Sequence, residues 1–296
     1  MVVTAGLLLQ VVVTGLATGA AYGLVAAGFV LVFRLTGILH FAHGDVLGAS
    51  LFIGLLVAGS GNYPGVAAIA FVVAAAGSAL LYLVVLRPAF RRRAELGWIG
   101  GAVAAAFAID ATLVAAFPRA AYVFPDLAAF DRFRTWQLGG GASLPARTVF
   151  VLGAGLAVAG LADLLLTRSR FGLGLRAVAD DPTAAALSGI RVDRVVAGAF
   201  AVAGVLAVVA GLVVVPATTL APHTGLLLGL KGIVAALLAG LVSPRRAFVA
   251  GLVVGVFEGV VVVTLHLPAW RDVAPLLAVV VFLAVRPPAL AREAVE

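Results

Sequence analysis

The sequence predicts an all-α, polytopic membrane protein with about eight to ten transmembrane helices, and three observations carry that prediction. Of the 296 residues, 64% are apolar and 11% are charged, far from the mixture that soluble domains use. The apolar residues gather in nine runs, near 7–33, 45–58, 64–86, 99–117, 148–166, 195–215, 226–243, 247–265 and 273–286. Most approach the ~20 residues that cross a bilayer; the second and the last are short. The arginines stand in short groups between the runs, where they act as topology signals. The chain 1–296 therefore reads as a single transmembrane domain.

Several function classes fall away at once. The formal net charge of +7 does not point to nucleic acid, because the arginines are dispersed among apolar runs. No cysteine is present, which removes disulfides, thiol catalysis and cysteine metal sites. The start, MVVTAGLLLQ, carries no basic region and no small-residue cleavage site before the apolar run continues, so it reads as a retained span.

With nine spans and an outside N-terminus, fourteen arginines fall on the inner side, from Arg34 and the group Arg87, Arg91, Arg92 and Arg93 to Arg286 and Arg292. Five fall outside: Arg119, Arg132, Arg134, Arg147 and Arg271. That bias places the connection 167–194 and the C-terminus in the cytoplasm.

The first run holds Gly15, Gly19 and Gly23 at four-residue spacing, a face without side chains that lets another helix approach closely. Gly251, Gly255 and Gly259 repeat the device, so two close-packed interfaces are expected. After Arg34 comes LTGILHFAHGDVLGAS, with His40, His43 and Asp45 between two apolar runs. Polar groups at membrane depth are tolerated where they are buried in protein or line a cavity, which predicts a broken or re-entrant connection. A metal site is disfavoured, because the three offer no fourth ligand and no zinc-type spacing recurs.

The segment 118–147 is the longest outer connection and carries Pro118, Pro125, Asp126, Asp131, Trp136, Pro145 and the glycines at 139–141. It either caps the membrane part or meets an external partner. Four ionisable residues lie inside apolar runs. Asp163 sits near an inner end, within reach of Arg168 or water. Lys231, Glu258 and Asp110 lie roughly 8, 10 and 10 Å from the outer ends of their spans at 1.5 Å per residue. A buried charge is costly unless paired, so Lys231 and Glu258 are expected to meet, with Asp110 as a competing partner.

The polar stretch TRSRFGLGLRAVADDPTAAALSGIRVDR, 167–194, has a helix signal of its own. Asp180 and Asp181 precede Pro182, the placement of an N-cap with proline in the first turn. Thr183 to Leu187 then form a short helix, and Gly189 ends it. Flanked by arginines, it reads as a docking surface facing the cytoplasm.

Three stretches, together covering most of the chain in the right order, resemble the permeases of branched-chain amino acid ABC importers. GAAYGLVAAGFVLVFRLTGILHFAHGD is similar to that family's first span and its Phe-Ala-His-Gly-acid motif, matched by Phe41, Ala42, His43, Gly44 and Asp45. SRFGLGLRAVADDPTAAALSGIRVDR is similar to the loop that receives the ATPase, with Ala184, Ala185, Leu187, Gly189 and Ile190 in the matching places. GLLLGLKGIVAALLAGLVSPRRAFVAGLVVGVFEGV is similar to the late pair of spans, with Lys231, Gly240, Pro244, Ala247, Gly251, Gly255 and Glu258. His40 stands where the family usually has Asn, Asp45 where Glu is usual, and Arg245 and Arg246 enter a turn that normally carries small residues.

The resemblance implies a transport subunit of a bacterial plasma membrane that performs no covalent chemistry and binds no cofactor. ATP and Mg would sit on two cytoplasmic ATPase subunits. A second permease subunit, identical or similar, and an extracytoplasmic substrate-binding protein would complete the assembly. No phosphate-binding glycine loop with lysine occurs, since the only lysine is inside a span. Urea and short amides are competing cargoes for such a permease. An ion-coupled secondary transporter using Asp110 and Glu258 is the competing mechanism. An intramembrane enzyme would need a nucleophile or metal set that no Ser–His or His–Glu spacing supplies.

Overall fold

A computed structural model describes residues 5–91, 95–126, 135–139, 142–265 and 270–285. Arg92, Arg93, Asp131, Arg132, Arg134, Arg286 and Arg292, two of the glycines at 139–141, and the C-terminal stretch whose side of the membrane was read from charge lie outside the described residues. In chain order the elements are α1 (Ala5–Thr36), α2 (His43–Ala58), α3 (Tyr63–Leu81), a π-helical turn (Tyr82–Leu86), α4 (Arg87–Arg91) and α5 (Glu95–Ala116). A hairpin of β1 (Thr135–Gly139) and β2 (Ala142–Pro145) follows, then α6 (Ala146–Arg168), α7 (Arg170–Asp180), α8 (Pro182–Leu187), α9 (Val192–Val214), α10 (Thr224–Leu238), α11 (Pro244–Leu265) and α12 (Trp270–Val285).

Among the described residues, six helical stretches are long and apolar enough to cross a membrane: Gly6–Thr36, Tyr63–Ala89, Gly97–Ala116, Ala146–Arg168, Val192–Ala217 and Pro244–Val263. Three shorter apolar helices, His43–Ala58, Thr224–Leu238 and Val273–Ala284, stand between or beside them. Together they follow the nine apolar runs in order, so the chain is a multi-pass, helical membrane protein.

α1 is the hub. In its most apolar window 83% of the residues are buried in the protein, against 11% in those of α5 and α6. It packs on α11, α9, α10 and α6, and α5 and α6 lie at the periphery. The two glycine runs do not make two interfaces, as the sequence suggested; they face each other in one. A Cβ on Gly15 would lie 2.7 Å from the Cα of Val256, one on Gly19 2.7 Å from the carbonyl oxygen of Gly251, and one on Gly23 2.6 Å from that of Phe248. Gly251 and Gly255 are filled in the same way from the α1 side, whereas Gly259 has its nearest neighbours at 3.3 Å and marks the loose end. No side chain fits between these backbones, so the helices meet along a seam of main chain.

Three features were not legible as helix or turn. The seventh apolar run stops at Leu238, because Gly240 and Leu241 turn the chain with φ of +68° and +58°. The Leu241 amide donates to the Ala236 carbonyl and the Gly240 amide to that of Leu237, the pattern that closes a helix C-terminus. Arg170–Asp180 forms a separate amphipathic helix, α7, which buries Gly172, Leu175 and Val178. The connection 118–147 contains the β1–β2 hairpin, held to the N-terminal part of α1 by the Ser143 amide, which donates to Gln10 Oε1 at 3.2 Å.

Candidate functional site

The Phe-Ala-His-Gly-acid stretch turns back into the protein. α1 ends at Thr36, Gly37 reverses the chain with φ +68°, and α2 begins only at His43. His43 lies edge-on to Phe29, with ring centroids 4.6 Å apart, and His40 lies 5.1 Å from Phe200. Phe29 and Phe200 are seven and eight residues inside the ends of α1 and α9, about 10–12 Å along the helix axes. The motif therefore stands at membrane depth, and α2 starts there instead of at a surface.

α10 meets it from the other direction. A Cβ on Gly44 would lie 2.9 Å from the Cα of Gly229, and one on Gly225 2.7 Å from the amide nitrogen of Gly48. The N-terminal turns of two short helices thus cross backbone to backbone. The repeated four-residue spacing of Gly44 with Gly48 and Gly225 with Gly229 was the available signal for this crossing.

Beside the crossing is a cleft of about 160 Å³ between α2, α5 and α10. Phe41, Gly44 and Asp45 line it from the motif, and Asp110 from α5. Ala42 and His43 are buried behind them. Asp45 is 2% exposed, yet its Oδ2 has no hydrogen-bond partner; both ring nitrogens of His40 and Nε2 of His43 are equally without one. Among the described residues no group of three or more His, Cys, Asp or Glu is placed to hold a metal ion.

The other intramembrane charges sort differently. Lys231 Nζ donates to Glu258 Oε2 at 3.0 Å and to the Tyr22 hydroxyl at 3.0 Å, while that hydroxyl donates to Glu258 Oε2 at 3.0 Å. All three are buried, so the pair is closed by a tyrosine whose part in it no local sequence pattern signals. Asp110 does not compete for Lys231. Its Oδ1 lies 2.9 Å from Nδ1 of His223, at the start of α10. Asp163 pairs with Arg245, whose second nitrogen reaches Oδ2 at 2.8 Å, and not with Arg168. That contact gives one of the two unusual arginines a place.

The loop 167–194 carries the second site. Asp180 closes α7, and Asp181 caps α8, its Oδ1 accepting from the Thr183 and Ala184 amides at 2.7 and 2.9 Å. Gly189 leaves the helix with φ +83°, and the Ile190 amide donates to the Ala185 carbonyl. Ala185 is buried with Val178, Tyr82 and Phe200, and Ile190 packs against the same cluster. Ala184 is exposed and Leu187 is 86% exposed. α8 is thus anchored on one side and presents a bare leucine on the other. At the adjoining end of α9, Asp193 pairs with Arg87 and accepts from the Tyr82 hydroxyl.

Long apolar helices crossed at their glycines, with two short helices stopping at membrane depth beside a largely apolar cleft that holds two acids, form the architecture of a solute transporter. The chain belongs to the family described as the permease component of the branched-chain amino acid transport system, whose model matches residues 11–285, and it is accordingly a transport subunit and not an enzyme. It is 27% identical, over 97% of its own length and 97% of theirs, to the high-affinity branched-chain amino acid transport system permease proteins LivH of Salmonella typhimurium and Escherichia coli. To BraD of Pseudomonas aeruginosa, which bears the same description, it is 27% identical over 84% of this chain and 85% of that one. No solved structure matches it significantly.

Proposed function

We propose that this chain is the permease subunit of an ATP-driven ABC importer for branched-chain or related amino acids. It sits in a bacterial plasma membrane with residues 167–194 on the cytoplasmic side. Of two cytoplasmic ATPase subunits, holding ATP and Mg, one docks on α8 of this chain and the other on the second permease subunit. A second permease subunit, identical or similar, faces this one, and an extracytoplasmic binding protein delivers the cargo.

The observation that carries this reading is α8. A six-residue helix capped at both ends, seated through Ala185 and crowned by an 86% exposed leucine, is built to hold a partner. Pulling on it moves Ala185 and Ile190, which share an apolar cluster with Phe200, and Phe200 touches His40 above the cleft. A movement of the motor thereby has packed side chains along which to reach the membrane part. An ion-coupled carrier using Asp110 and Glu258 is less well supported, because Glu258 is already engaged by Lys231 and Tyr22.

The test is co-purification. A cognate ATPase subunit co-expressed with this chain should elute with it, and Leu187→Glu together with Gly189→Glu should abolish that association while the permease still elutes as a monodisperse species. Accumulation of solute on an ion gradient by this protein alone in liposomes, or labelling of residues 180–190 from the outer side, would overturn the proposal.

A further inference from the structure

Among the described residues two buried carboxylates, Asp45 and Glu258, stand at membrane depth, and they are treated in opposite ways. Glu258 is held by Lys231 and Tyr22. Asp45, no more exposed, keeps one oxygen without any partner, an arrangement that is unfavourable in an apolar surrounding unless something else supplies the missing interaction. Asp45 borders the cleft between α2, α5 and α10, whose other walls are mainly apolar, among them Val103, Ala106, Phe107, Leu226 and Ile233. The second charged group on that lining is another acid, Asp110, close enough to act on Asp45 electrostatically. His223 sits against Asp110 at 2.9 Å, and Lys231, the one lysine of the chain, points at Glu258.

We propose that the cleft is a solute-binding site in which Asp45 accepts the ammonium group of an amino acid, Asp110 adds a second negative charge at the rim, and the apolar walls take an aliphatic side chain. This rests on the permease reading and narrows it. Low-dielectric walls strengthen the attraction of Asp45 for the ammonium group, and the carboxylate of the zwitterion, which the two acids repel, stays at the mouth on the side of the exposed His223 that sits on Asp110. The walls offer nothing comparable to a neutral amide, so the site selects amino acids over urea. The backbone crossing of Gly44 with Gly225 and Gly229 keeps Asp45 in place, because a side chain there would push α2 from α10 and open the cleft.

The experiment uses the complete transporter, this chain with its partner subunits and binding protein, in proteoliposomes supplied with ATP, and measures initial uptake of radiolabelled leucine and of urea. The wild type should carry leucine and discriminate against urea. Asp45→Asn should cut leucine uptake at least tenfold while the ATPase still co-purifies, and Asp45→Glu should restore a large part of it, which a space-filling role for the side chain would not predict. Leucine uptake by Asp45→Asn at the wild-type rate, or a wild-type preference for urea, overturns the site. Should Asp45→Asn fail to assemble, Ala106→Trp on the opposite wall decides: blocked leucine uptake supports the cleft, and undiminished uptake refutes it. A wild-type assembly that moves neither solute on ATP overturns the permease reading itself, whereas wild-type uptake indifferent to Asp45→Asn overturns only the site.

Discussion

The seam between α1 and α11 and the crossing of α2 with α10 use the same device, glycines every fourth residue, for different ends. The first joins two full-length spans, and the ionisable residues beside it are closed into a triad of Lys231, Glu258 and Tyr22. The second joins two helices of 16 and 15 residues whose first turns meet at membrane depth, and the polar groups around it, Asp45, His40 and His43, have atoms with no partner. Close backbone approach thus says only that two helices are held. Whether the polar atoms nearby are satisfied is what separates a frame from a site.

Four substitutions break or sharpen that contrast. The largest effect is expected from Lys231→Met, which leaves Glu258 buried and uncompensated at a cost of about 3–5 kcal/mol. Thermal unfolding should register it, and adding Glu258→Leu should recover most of the loss. Gly19→Leu comes next. Its Cβ would meet the Gly251 carbonyl at 2.7 Å and the Leu252 Cα at 2.8 Å, so the seam must part, at about 3 kcal/mol, and the yield of monodisperse protein should collapse. Gly44→Ala is a smaller insult to stability, about 1–3 kcal/mol, but should reduce uptake more than its shift in melting temperature explains. If its uptake falls only in proportion to folded protein, the second crossing is frame as well. The smallest effect is Asp181→Ala, which removes the cap of α8 at about 1 kcal/mol; ATPase association should weaken several-fold while the melting temperature of the membrane part stays put.

Local signals made much of this legible in advance. Among the described residues each apolar run is helical, because burial in lipid leaves the backbone no alternative to internal hydrogen bonds. The cap and stop of α8 were readable because Asp181, Pro182 and Gly189 act within a few positions of themselves. The re-entrant motif was readable because two histidines and an acid cannot face lipid. Partner choice was not. Asp163 finds Arg245, Asp110 finds His223, and the two glycine runs find each other, all across separations that no local pattern encodes. α7 was hidden by its arginines, although Phe171, Leu175 and Val178 follow helical spacing.

The main-chain seam also limits how the molecule can change shape. Side chains can switch rotamers and let helices rotate past one another; bare backbones in contact have no such freedom. α1 and α11 must therefore travel as a single keel, with the lysine–glutamate–tyrosine knot bolted to it. Lys231 ties α10 to that keel as well, so any alternation between an outward and an inward opening falls to α2 and α5, the elements that close the cleft against α10.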